Sequence, residues 1–222
     1  MKVALVHDYL MQDGGAEKTL EALIEIFPDS PIYVLFYNSV KVNPLYKEKD
    51  IRTSFLQKFP LAHKKYQWYL SFMPTATEHY DLREFDIVIS STSAFAKGII
   101  TRPDTLHICY CHTPTRYLWT DTHDYIHDLR YNKLIKKLLP HPLSKLRVWD
   151  QLAAQRVDIF VANSQTVQKR IKKYYNRESI IINPPVETKK LSWGSKPKDY
   201  FLTGGRLVPY KKNDIIIKAF NT

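Results

Sequence analysis

Only two cysteines, Cys109 and Cys111, occur in the 222 residues, two positions apart. They form no disulfide framework, and a chain of this kind suits a reducing compartment. Glycine is almost as scarce, with six in all, so each one raises a question about its backbone. No apolar run approaches the roughly 20 residues that cross a bilayer as a helix. The apolar start, Met1 to Leu10, is broken by His7 and Asp8 and reads as a buried strand rather than a signal peptide. Also absent are the G-x-G-x-x-G dinucleotide fingerprint, H-E-x-x-H, and the RNP, KH and helix-turn-helix signatures. Acidic residues are outnumbered, 22 against 33 basic, and the net charge of +11 favours anionic partners. Nucleic acid, an acidic membrane face and a phosphorylated small molecule all satisfy that charge.

Aromatics are plentiful, with 15 Tyr, 10 Phe and 4 Trp, and 44% hydrophobic against 25% charged residues is a globular balance. Lys2 to Val6, Ile32 to Phe36, Ile87 to Ser90, Leu106 to Tyr110, Asp158 to Ala162 and Ile180 to Ile182 are short apolar runs. Runs of that length and type predict fully buried strands. Between the first two, Leu20, Leu23, Ile24 and Phe27 recur at helical spacing until Pro28. A second helix is expected from Asn163 to Tyr175, capped by Asn163 or Ser164. Strands alternating with helices predict an α/β, Rossmann-like parallel sheet with helices on both faces. Residues 1–182 form this first domain, and the Lys- and Pro-rich residues 183–199 read as a linker. The alternation restarts in residues 200–222, with a strand from Tyr200 to Thr203, a turn at Gly204-Gly205, and a helical pattern through Ile215, Ile216 and Phe220. One βα unit buries neither of its faces, so this last stretch is expected to open a second, truncated domain.

Four constellations carry candidate chemistry. Gly14-Gly15 in Asp13-Gly14-Gly15-Ala16-Glu17 follows the first strand and opens the first helix. Paired glycines there admit a ligand to the free N–H groups of a helix start, or serve a tight turn needing positive φ. His112 leads the Cys111-to-Trp119 loop at the carboxyl end of a strand, where open α/β sheets bind ligands. It reads equally as a structural hydrogen-bonding group. Cys109, Cys111 and His112 do not read as a metal site, because no fourth ligand is near and His112 starts on the opposite face. His123 and His127 read as a solvated helix face. Arg206 and Lys211 bracket the Gly204-to-Lys212 turn, where a planar fork and a point charge suit a diphosphate or form a basic surface turn. Finally, Leu129 to Arg147 and Phe55 to Phe72 interleave basic with apolar and aromatic residues. Both are expected to pack their apolar stripes into the core with lysines snorkelling around them, although the first also suits an anionic membrane.

The GGAE turn, CHTPTRYLW, VANSQTVQKRI, INPPVE and GGRLVPYKK, in that order, resemble family 4 of the glycosyltransferases. The resemblance runs over nearly the whole chain, and its flavour is that of bacterial mannosyltransferases of polysaccharide assembly. It implies the two-domain GT-B fold, with a sheet domain on the acceptor side and a second Rossmann-like domain that binds the donor nucleotide. It implies retaining transfer of a hexose, with mannose from GDP-mannose as the suggested case, to a saccharide or lipid-linked acceptor. Gly15, beside Gly14, would let the backbone approach the donor phosphates, and His112 would sit by the sugar and the reacting centre. Arg206 and Lys211 would neutralise the leaving diphosphate. No metal or other cofactor is implied, and no D-x-D is present, so those two cations would stand in for one. The enzyme is expected in the cytoplasm, at the inner membrane face. The family's E-x-F-G-x-x-x-x-E segment does not occur before Thr222, so little turnover by this chain alone is expected. A basic binding module for nucleic acid or membrane, and a half that works only with a separate partner domain, are the alternatives. Nucleic acid is the less favoured partner, since no recognition signature supports it.

Overall fold

The structure is a computed structural model and describes residues 1–129, 131–188, 199–205 and 211–221. The first strand, β1 (Val3–His7), is buried at all five positions, as a central parallel strand must be. It leads into α1 (Gly15–Ile26) and then β2 (Ile32–Val34). A third strand, β3 (Ile51–Thr53), precedes two short helices, α2 (Ala62–Lys65) and α3 (Met73–Glu78). After β4 (Ile87–Thr92) and β5 (Leu106–Cys111) come α4 (Arg116–Trp119), α5 (Thr122–Asp128), α6 (Lys133–Leu138) and the long α7 (Pro140–Gln155). The sheet is completed by β6 (Ile159–Ala162), α8 (Gln165–Tyr175) and β7 (Ile180–Ile181), and α9 (Asn213–Phe220) follows at a distance in sequence.

All seven strands are parallel, in the order β3-β2-β1-β4-β5-β6-β7. Alternation along β1 sends Val3 and Leu5 to one face and Ala4 and Val6 to the other. The first pair packs with Leu20 and Ile24 of α1, the second with Leu82, Phe85, Ala96 and Ile99. Farther along, Cys109 and Cys111 of β5 join Ala154, Ile171 and Tyr175 from α7 and α8. Helices and loops therefore cover both faces, and the strand order reverses between β1 and β4. From β1 the chain winds outward to β3, and from β4 it winds the other way to β7.

Several expectations change. The strand β3 is an edge strand, half-buried to exposed along Ile-Arg-Thr, so it lacks the apolar signature of its buried neighbours. Residues 200–203 are exposed and form no strand, because a strand exists only by pairing and nothing among the described residues pairs with them. The helix α9 does form from the expected pattern, but none of its residues is buried. The apolar stripe of α6 is not in the core: Leu134 is 69% exposed and Leu138 65%. This helix has six residues and its main neighbour is α7, and among the described residues no layer covers its apolar side. In the stretch 55–72, Leu56 is buried, whereas Phe59, Trp68 and Phe72 lie exposed. The reading of His123 and His127 as a solvated face holds, since both are exposed on α5.

Candidate functional site

The carboxyl ends of β1, β4 and β5 lie side by side, with His7 opposite Ser91 and Thr92 opposite Cys111 in the sheet register. This is the point where the strand order reverses, the place where open α/β sheets bind ligands. The backbone of His112 is clamped from two directions. Its N–H donates to the Thr92 carbonyl at 2.8 Å, and its carbonyl accepts from Asn163 Nδ2 at 3.0 Å. Its Nε2 lies 2.9 Å from Ser91 Oγ, and the Tyr110 ring meets the imidazole edge-on at 5.3 Å. Burial, helped by the charge of nearby His7, holds the His112 pKa down to about 4, so the ring is neutral at pH 7.

Ser91 links His112 to a second histidine. His7 Nδ1 is 2.9 Å from the Ser91 carbonyl and 3.3 Å from Ser91 Oγ. On its other side, His7 Nε2 faces Glu17 Oε1 at 3.8 Å. Glu17 lies in the first turn of α1, where the helix dipole favours a carboxylate. Burial pushes its pKa upward, yet His7, the Glu17 backbone N–H and Gln12 outweigh that, and the net shift is downward. The second oxygen, Oε2, is buried and has no hydrogen-bond partner.

The glycines of the turn have distinct surroundings. At Gly14 the backbone is extended, with φ near −159°, and Gly15 is not in the left-handed region either. The turn therefore does not need glycine for positive φ, which removes one of the two readings. A Cβ on Gly14 would lie 3.1 Å from Glu17 Oε2, whereas one on Gly15 would meet nothing within 4 Å. Gly15 thus borders open space at a helix start that no side chain caps. A series of contacts runs from Glu17 through His7 and Ser91 to His112.

Arg206 lies outside the described residues. Lys211 is described and exposed, just ahead of Lys212 and α9. No group of three or more His, Cys, Asp or Glu side chains gathers to hold a metal among the described residues. Both cysteines are buried and free, and burial raises the Cys109 thiol to about 12. Sequence reasoning passed over His7, Glu17 and Ser91. The one available signal was the polar His7-Asp8 pair ending an otherwise apolar strand.

The loop that carries His112 onward is anchored by Asp150 of α7. Its buried carboxylate accepts from Lys97 Nζ at 2.5 Å, Thr115 Oγ1 at 2.7 Å, and Trp119 Nε1 and Tyr175 OH at 2.8 Å. Those donors come from the segment after β4, from α4 and its cap, and from α8, so one side chain locks three layers beside the site.

A family model described as Glycosyltransferase Family 4 matches residues 13–190. The chain belongs to glycosyltransferase family 4. No curated protein matches it. Among solved structures, Anabaena Alr3699/HepE, crystallised in complex with UDP, is similar at 15% identity with a TM-score of 0.47. The match covers 85% of this chain and 45% of that one, so the chain spans under half of that protein. Within the family assignment, the polar cluster at the β1–β4 reversal is the candidate active site.

Proposed function

We propose that the chain forms the acceptor-side half of a retaining, two-domain glycosyltransferase that moves a hexose from a nucleotide sugar to a saccharide or lipid-linked acceptor in polysaccharide assembly. The observation that carries this reading is His112 held neutral at the strand-order reversal, linked through Ser91 and His7 to a buried Glu17. A neutral, partly covered imidazole suits contact with a sugar, and open space at Gly15 suits the approach of a donor. As sugar leaves nucleotide, negative charge grows on the diphosphate. Arg206 and Lys211 offset it without a metal, the planar fork taking two oxygens and the ammonium a third. In this proposal residues 1–182 are the acceptor-side domain, 183–199 a linker, and 200–222 the start of the donor domain. Mannose from GDP-mannose is the donor favoured by the motif flavour.

Calorimetric titration of GDP-mannose and UDP-hexoses into the chain tests this. The expected result is binding of one nucleotide sugar, weakened about tenfold by His112→Ala, the loss of roughly one hydrogen bond to a ligand. Binding should vanish in the Arg206→Ala/Lys211→Ala double variant. Failure of every nucleotide sugar to bind would remove the donor site from this chain.

The acceptor side has its own surface. Exposed Leu134, Ile135 and Leu138 on α6 are flanked by exposed Lys133 and Lys137, a combination that suits an anionic bilayer face. No helix among the described residues is long and apolar enough to cross a membrane, so contact would be peripheral, at the cytoplasmic face. Cosedimentation with phosphatidylglycerol vesicles, reduced by Leu134→Ser/Leu138→Ser, is expected. Equal binding to single-stranded DNA would point to a general polyanion surface instead.

A further inference from the structure

The hydrogen-bond directions around Ser91 determine where the protons of His112 sit. A carbonyl oxygen only accepts, so His7 Nδ1, 2.9 Å from the Ser91 carbonyl, carries a hydrogen. That hydrogen is shared with Ser91 Oγ at 3.3 Å. The hydroxyl keeps its own hydrogen to give, and its other hydrogen-bond contact among the described residues is His112 Nε2 at 2.9 Å. Ser91 is buried completely, so water does not compete for that hydrogen. His112 Nε2 is then the acceptor. A neutral imidazole with an accepting Nε2 carries its hydrogen on Nδ1.

We propose that His7 and Ser91 are positioning residues that hold His112 in the Nδ1–H form, so that its outward nitrogen is a hydrogen-bond donor for an oxygen of the bound sugar. No hydrogen bond from His112 Nδ1 to another described residue occupies it, and the backbone clamps at Thr92 and Asn163 leave the ring proton as the variable element. The low pKa of the ring keeps the second nitrogen bare at neutral pH. The selection has a chemical consequence. With the opposite tautomer, the outward nitrogen would present a lone pair, and a sugar ring oxygen or a phosphate oxygen would be repelled. The sugar as ligand rests on the proposed function above; the proton position does not.

Imidazole nitrogen NMR on the isotope-labelled chain at neutral pH reads the tautomer directly, with exposed His123 and His141 as solvent references. Wild type is expected to show His112 protonated at Nδ1 and bare at Nε2. Ser91→Ala, which adds no bulk, should return His112 to the tautomer balance of the reference histidines. It should also weaken nucleotide-sugar binding about tenfold, the scale of one hydrogen bond, without altering the melting profile comparably. Protonation at Nε2 in the wild type would overturn the proposal. So would an unchanged His112 tautomer in Ser91→Ala. Failure to bind any nucleotide sugar with the Nδ1–H form intact would instead sink the donor-site reading and leave the proton assignment standing.

Discussion

Asp8 and Glu17 are acidic residues nine positions apart near the carboxyl end of β1, and each is 3% exposed. Their surroundings differ completely. Asp8 accepts from Thr92 Oγ1 at 2.9 Å and from the N–H groups of Ser93, Ala94, Phe95 and Ala96 at 2.7 to 2.9 Å. It ties the end of β1 to the turn after β4, next to the polar cluster around Ser91. Glu17 has His7 at 3.8 Å, with its own backbone N–H and Gln12 also lowering its pKa, while its Oε2 lacks a hydrogen-bond partner. A buried carboxylate saturated by backbone donors is a structural brace. One left partly unsatisfied at the start of a helix is a candidate for meeting a ligand. The comparison separates scaffold from site without reference to any relative.

The largest effect should come from breaking the brace. Asp8→Ala strands four backbone N–H groups and should cost about 4 kcal/mol, whereas Glu17→Gln should cost about 1 kcal/mol or less. Urea unfolding of both variants tests this, and similar losses would erase the distinction drawn here.

A smaller effect should appear on acidification. Burial lowers His107 to about 4, with Arg156 adding to it against the pull of Asp158, and burial with the His7 charge lowers His112 to about 4. Both lie below the unfolded value of about 6.5. Between those limits the unfolded chain binds protons that the fold excludes. Stability is therefore complete above about pH 6.5 and declines as pH falls toward 4, by up to about 3 kcal/mol for each ring. Unfolding midpoints measured across that range check the slope, and His107→Gln should flatten it. A flat wild-type profile would contradict the burial of both rings.

The smallest effect separates the two glycines. Gly15→Ala meets open space and replaces a poor helix former, so stability should hold or rise by up to about 1 kcal/mol while nucleotide-sugar binding weakens. Gly14→Ala presses on Glu17 Oε2 and should lower stability slightly. Scanning calorimetry paired with donor titration distinguishes them, and tight donor binding by Gly15→Ala would argue against a ligand approaching there.

Most of the sheet was legible because central parallel strands are buried on both faces, and β1, β4 and β5 are accordingly apolar runs. The cap of α8 was legible too: Ser164 accepts from the Val167 N–H as its residue type suggested. The edge strand β3 was missed because Arg52 and Thr53 face solvent and carry no apolar pattern. The stripe of α6 misled because periodicity reports amphipathicity, not what lies opposite. An apolar face packs inward only when another layer covers it.

In the candidate site, His112 and the Gly14-Gly15 turn could be named from local pattern, since each follows an apolar strand and opens a loop. Local chemistry also indicated α/β architecture and an appetite for anionic partners. What no linear reading supplied was the company His112 keeps. His7 and Ser91 are 84 residues apart and become neighbours through the register of β1 against β4, while Glu17 is carried to them by α1. Strand register and helix docking are set by packing over the whole sheet, and a one-residue slip would send Ser91 to the opposite face. The identity of His112 and of the glycine turn was therefore local information. The contacts around His112, and the contrast between a saturated Asp8 and a partly satisfied Glu17, were decided by tertiary structure alone.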